Sequence, residues 1–138
     1  MIIKEIMTQD VEVIHPGESL QTAAKKMRDH DIGFLPVYDG SQLIGVLTDR
    51  DIAIRAIAKG ADSKMPLNPD LITAPAIFCF EDQSVDDATE LMHDKQVRRL
   101  VILKRGSKQL AGVVSLGDLA VNIDDKISGE VLEGVSMP

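Results

Sequence analysis

The chain carries one pattern twice, so its fold must accommodate two similar halves. Gly45-Val46-Leu47-Thr48-Asp49-Arg50-Asp51 is matched by Gly112-Val113-Val114-Ser115-Leu116-Gly117-Asp118. Each copy is a glycine, two aliphatics, a hydroxyl residue, two variable residues and an aspartate. Earlier matches are Ser19-Leu20 with Ser84-Val85, Met27 with Met92, and Leu35-Pro36-Val37 with Leu100-Val101-Ile102. Ser84 follows Ser19 by 65 residues and Asp118 follows Asp51 by 67; the two extra residues fall where residues 104–109 replace 39–42. A length change confined to a turn is what a structural repeat shows. Two copies are too few for an open array, so a closed, pseudo-symmetric pair is expected.

Each copy reads strand, helix, strand, strand, helix. Residues 11–14 form a short strand ended by Pro16-Gly17, and Ser19 caps a helix. Leu20, Ala23, Ala24 and Met27 make its apolar stripe, with Lys25, Lys26 and Arg28 facing water. Residues 34–38 and 43–47 are hairpin strands around Asp39-Gly40. A helix from about Asp49 buries Ile52, Ala53, Ala56 and Ile57. In the second copy, residues 77–80 are the short strand and Ser84 with Asp87 resembles a capping box. Val85, Ala88 and Met92 form the stripe, residues 100–103 and 110–114 the hairpin, and Leu119 lies in the last helix. Residues 1–60 are thus the first repeat, 61–70 a linker, 71–123 the second repeat and 124–138 a tail. In the tail Ile127, Val131, Leu132 and Val135 share one possible helical face, which Gly129 and Gly134 weaken. The whole reads as one compact α/β (α+β) module of tandem β-α-β-β-α repeats.

Composition narrows the function. At 138 residues with a formal charge of −7 and 3% aromatics, the chain lacks the basic surface and stacking residues of general nucleic-acid binders. The single cysteine, Cys79, excludes an intrachain disulfide and reads as a buried, inert thiol in a reducing compartment. No apolar run approaches the ~20 residues of a membrane span, and the N-terminus lacks a signal-peptide shape. A cytoplasmic protein is expected. His15, His30 and His93 lie far apart, with His30 and His93 at matching helix ends where a solvated histidine is the default; a weak metal site with nearby carboxylates stays open, though no metal ligand set is assigned. Asp86-Asp87 and Asp124-Asp125 read as solvated faces. No catalytic set, Gly-rich phosphate loop or nucleophile elbow is present, so no enzyme activity is expected.

Met7-Thr8, Asp31-Ile32-Gly33-Phe34-Leu35-Pro36-Val37 and residues 45–51, with Ile72-Thr73, Gln96-Val97-Arg98-Arg99-Leu100 and residues 112–118, together resemble the CBS-domain pair, or Bateman module. The likeness spans about residues 4–123. His30-Asp31-Ile32-Gly33, residues 47–52 and Val97-Arg98-Arg99 are similar to stand-alone bacterial and archaeal CBS pairs associated with stress. The resemblance implies two sheets packed about a pseudo-twofold axis, with two clefts that each draw on both repeats. It also implies adenosine ligands of the AMP, ADP and ATP class, ahead of S-adenosylmethionine or NAD. Flat homodimers and regulation of an unidentified partner protein, without chemistry of the module's own, are implied as well.

By that resemblance, one cleft combines Thr48 and Asp51 with Thr73, Phe78, Val97, Arg98 and Arg99. Asp51 would take both ribose hydroxyls in charge-assisted bonds worth about 1.5–3 kcal/mol each. Thr48 and the helix start would hold phosphate oxygens, an arginine would clamp phosphate, and backbone near Val97 would read the adenine edge. The other cleft combines Ser115 and Asp118 with Thr8, Val13, Ile32 and Gly33. Gly33 and Phe34 stand where the first cleft has its arginines, so the Asp51 site is expected to favour a phosphorylated adenosine. The alternatives are plain: the aspartates are helix caps, the arginines are surface or interface charges, and Phe78 either stacks on adenine or fills an empty cleft. A structural or interaction pair with ligand-free clefts is then the competing function.

Overall fold

Residues 1–122 are described in the structure, a computed structural model; the tail positions from Asp124-Asp125 to Val135 lie outside them. The chain divides into two units. One comprises Glu12–Ala76; the other joins Met1–Val11 to the residues from Ile77 onward. Each has its own apolar core.

In the Glu12–Ala76 unit, helix α1 (Leu20–His30) starts where Ser19 Oγ accepts from Thr22 N at 3.1 Å. Leu20, Ala23 and Met27 are buried. Ala24 is exposed, contrary to the predicted stripe, because it sits at the edge of that face. Lys26 does not simply face water: its Nζ donates to Val13 O at 2.7 Å and lies 3.5 Å from Glu18. The aliphatic stem of a lysine can lie along the protein while its charge finds a carbonyl. Strands β1 (Phe34–Tyr38) and β2 (Leu43–Thr48) form an antiparallel hairpin. A helical run follows, α2 (Asp49–Asp51), a π-turn over Ile52–Ala56 and a 3₁₀ turn over Ile57–Lys59. Only Ala56 of the four predicted inward residues is fully buried; Ile52 is half-buried, and Ala53 and Ile57 are exposed. A π-turn closes i→i+5 rather than i→i+4 bonds, so the inward face skips from Asp51 to Ala56 and the 3.6-residue stripe fails.

The other unit holds β3 (Phe78–Phe80), α3 (Val85–Lys95), β4 (Arg99–Leu103), β5 (Leu110–Ser115) and α4 (Leu116–Asn122). Its sheet runs β3-β4-β5, parallel then antiparallel. Ser84 Oγ caps α3 by accepting from Asp87 N at 3.1 Å. The predicted capping box is not completed. Gln83, anchored on Phe80 N at 2.8 Å, brings its amide to 3.5 Å from the Asp87 carboxylate instead. Val85, Ala88, Thr89 and Met92 are buried, and the Thr89 hydroxyl donates to Val85 O at 3.0 Å. Ile3 lies fully buried in this unit's core with Leu100, Ile102, Val114 and Leu119.

The predicted strand over residues 11–14 reduces to a single bridge, Ile14 beside Val37. The reason is one residue. Ile14 N donates to Pro36 O and Tyr38 N to Ile14 O, both at 3.0 Å. In the other unit the ladder continues because Val101 N donates to Ile77 O at 3.3 Å. Pro36 occupies the place of Val101 and has no N–H to offer Glu12. Val101→Pro is expected to shorten β3 to a comparable bridge and destabilise its unit by about 1–3 kcal/mol, the cost of leaving a carbonyl unpaired. Pro36→Val is expected to add a slowly exchanging amide at position 36. Urea unfolding and hydrogen exchange measure both; a rapidly exchanging amide at 36 would contradict the explanation.

Candidate functional site

The two strand-to-helix turns are built alike. Thr48 Oγ1 accepts from Asp51 N at 3.1 Å, and Asp51 Oδ2 accepts from Thr48 N at 3.0 Å, a complete capping box. Ser115 Oγ accepts from Asp118 N at 3.1 Å, and Asp118 Oδ2 accepts from Ser115 N at 2.9 Å. A hydroxyl residue three positions before an aspartate carries this geometry.

A second threonine joins each turn from far along the chain. Thr73 bridges Val46 through two backbone bonds of 2.9 Å, and Thr8 bridges Val113 through bonds of 2.9 and 3.0 Å. The motif glycines make room. A Cβ on Gly45 would lie 2.5 Å from Thr73 O, and one on Gly112 would lie 2.5 Å from Thr8 O. Thr48, Asp51 and Thr73 therefore gather in the Glu12–Ala76 unit, and Ser115, Asp118 and Thr8 in the other. Thr73 Oγ1 lies 3.5 Å from Asp51 Oδ2 and donates to it.

The two half-sites differ in charge. Asp51 is buried, and Arg55 Nε stands 3.7 Å from its Oδ1. Asn122 holds the matching place in the other half-site and turns its amide to Asp118 O at 2.7 Å. Sequence reasoning passed over Arg55, although its i,i+4 spacing from Asp51 was the available signal. Asp51 is also less free than expected to take two ribose hydroxyls. Oδ2 already receives Thr48 N–H and the Thr73 hydroxyl, which leaves Oδ1 as the open acceptor.

The remaining predicted residues divide between the units. Phe78, Val97, Arg98 and Arg99 belong to the other unit from Thr48, Asp51 and Thr73; Val13, Ile32 and Gly33 belong to the other unit from Ser115, Asp118 and Thr8. The Val13 carbonyl is occupied by Lys26. Ile32 and Val97 pack against their respective cores. Gly33 O accepts from Asp49 N at 3.0 Å, and Arg98 O accepts from Leu116 N at 2.7 Å. A Cβ on Gly33 would lie 2.6 Å from the Asp49 carboxylate, so position 33 admits no side chain without a shift, whereas Arg98 faces Leu116 instead. Arg98 and Arg99 are both exposed. Phe78 is 41% exposed, meets Phe80 edge-on at 5.6 Å, and lines an open hollow of about 290 Å³ with Gln83, Asp87 and Leu91. Cys79 is buried, and desolvation, with Asp87 adding to it, pushes its thiol up to about 11. It is protonated and unreactive at neutral pH. His30 Nε2 meets Glu12 at 2.6 Å, and among the described residues no three histidine, cysteine or acidic side chains gather as a metal site.

The family model for the CBS domain matches residues 3–57 and 69–125. The chain belongs to the CBS domain family. This CBS pair is 37% identical over 135 residues to CBS domain-containing protein YhcV of Bacillus subtilis, covering 97% of this chain and 94% of that one. It is 30% identical to hypoxic response protein 1 of Mycobacterium tuberculosis over 136 residues, 98% and 94% of the two chains. The crystal structure of Hypoxic Response Protein I with two coordinated zinc ions matches with a TM-score of 0.79 at 32% identity, covering 90% of this chain and all of that one. The CBS domain pair of protein MJ0100, solved in complex with 5′-methylthioadenosine and S-adenosyl-L-methionine, matches with a TM-score of 0.75 at 25% identity, covering 88% and 94%. The likeness to stand-alone CBS pairs and the mixed α+β fold read from the sequence are therefore both found. No helix among the described residues is long and apolar enough to cross a membrane.

Proposed function

We propose that this CBS pair is a regulatory module that binds an adenosine nucleotide of the AMP, ADP or ATP class and signals through a homodimer or a partner protein, with no chemistry of its own. Asp51 carries the proposal. Its capping role uses Oδ2 and fixes the side chain, while Oδ1 keeps lone pairs for a ligand hydroxyl. An acceptor held rigid in a buried turn loses less conformational freedom on binding a hydroxyl than a mobile one. The ligands of the MJ0100 pair, 5′-methylthioadenosine and S-adenosyl-L-methionine, support the adenosine part of the proposal, and its phosphate part rests on the two arginines. Arg98 and Arg99 are the phosphate partners in this proposal, and the Asp118 half-site is the weaker one.

Thermal shift and calorimetry with AMP, ADP, ATP, S-adenosylmethionine and NAD test it, because a ligand bound only by the folded state raises Tm with concentration. Asp51→Asn retains a capping acceptor but replaces one acceptor oxygen with a donor amide. It is expected to weaken AMP at least tenfold, and Asp118→Asn to weaken it less. Arg98→Ala and Arg99→Ala are expected to weaken AMP more than adenosine; equal losses would remove the phosphate role. A second function, a structural or interaction pair without ligand, is favoured by the completeness of both caps, since each aspartate already has a structural task. A flat thermal response to every ligand would select it.

A further inference from the structure

We infer that Arg55 is a specificity-determining residue that reads the ribose diol together with Asp51, which makes the two half-sites inequivalent; this rests on the adenosine proposal above. Asp51 Oδ2 receives Thr48 N–H at 3.0 Å and has Thr73 Oγ1 at 3.5 Å, so Oδ1 is the less engaged carboxylate oxygen and the one open to a vicinal diol. A diol offers two donors and two acceptors. Oδ1 accepts a hydrogen bond from one hydroxyl, but a carboxylate oxygen has no donor to offer the acceptor lone pairs of the second, which a donor beside it would complement. Arg55 is that donor. Its Nε lies 3.7 Å from Oδ1, too long for a direct hydrogen bond, so the carboxylate does not consume the guanidinium donors. Its side chain is 42% exposed, within reach of an incoming ligand. The pair thus presents an acceptor and a donor side by side, which matches adjacent hydroxyls and not an isolated one.

The other half-site lacks this device. Asn122 is the residue one turn after Asp118, and its amide donates to the Asp118 carbonyl at 2.7 Å. It is shorter, uncharged and already occupied.

The test is a cycle between side chain and ligand: calorimetry of wild type, Arg55→Ala and Arg55→Lys with AMP, 2′-deoxy-AMP and 3′-deoxy-AMP, with urea unfolding as a check on folding. Arg55→Ala is expected to weaken AMP about tenfold or more, the scale of a hydrogen bond from a charged donor. It should weaken the deoxy analogue that lacks the contacted hydroxyl less than twofold, and Arg55→Lys should recover part of the loss. Equal losses for all three ligands would mean that Arg55 does not read the diol, and would overturn the inference while AMP binding stood. A wild-type protein that binds none of the three would remove adenosine binding itself, and the inference with it.

Discussion

Gly45→Ala is expected to destabilise the Glu12–Ala76 unit by about 3 kcal/mol or more, and Gly112→Ala to do the same to the other. The added Cβ at position 45 would lie 2.5 Å from Thr73 O and 2.7 Å from Ile72 Cγ2. At position 112 it would lie 2.5 Å from Thr8 O and 2.9 Å from Met7 Sδ. The closest neighbour is backbone in both cases, so no side-chain rotation relieves the clash and the paired segment must move away. Two backbone bonds are then strained or lost, at about 1 kcal/mol each. Overpacking a tight contact adds about 1–3 kcal/mol. Urea unfolding gives the stability, and hydrogen exchange at residues 46 and 73, or 8 and 113, reports whether the bridge opened. A Gly45→Ala protein of unchanged stability with a protected Thr73 amide would refute the steric explanation. The same substitution should weaken ligand binding at the Asp51 half-site, because Thr73 Oγ1 travels with its backbone.

Ile3→Ala is the second large effect expected, about 2–5 kcal/mol, the range for emptying a fully buried aliphatic site. Ile3 has no exposed surface and lies in the core with Cys79, Val85 and Met92. The backbone around it is tied down as well: Ile3 N donates to Gln83 O at 2.9 Å, Lys4 N to Glu81 O at 3.0 Å, and Val85 N to Met1 O at 3.1 Å. The loss should show as faster amide exchange across residues 77–122, with residues 12–76 changed less. A loss under about 0.5 kcal/mol, the scale of an ordinary surface substitution, would mean that the segment does not anchor its unit.

These two sites also mark where the sequence is legible and where it stops. The hairpins and the two long helices follow from local periodicity and from Ser19 and Ser84, whose capping needs only neighbours three residues away. The Thr48–Asp51 and Ser115–Asp118 turns are legible for the same reason. The π-turn after Asp51 was not, because one extra residue in a turn leaves no compositional mark, and Ala53 and Ile57 were consequently misplaced. Pro36 was visible, yet its effect needed the register opposite Ile14, a long-range fact. The pairing of Thr73 with Val46 and of Thr8 with Val113 is equally long-range: the glycines signal a close approach without naming what approaches. Arg55 lay within reach of local reasoning, since it is one helical turn from a residue already singled out.

The placement of Met1–Val11 with the residues from Ile77 onward has a consequence for biosynthesis. When the ribosome has delivered residues 12–76, every residue of that unit's own core has been made. The opening segment, made first, must wait unsheltered until its complement has been synthesised. Between those moments Ile3 is an apolar residue without a home, and such stretches are what nascent-chain chaperones bind.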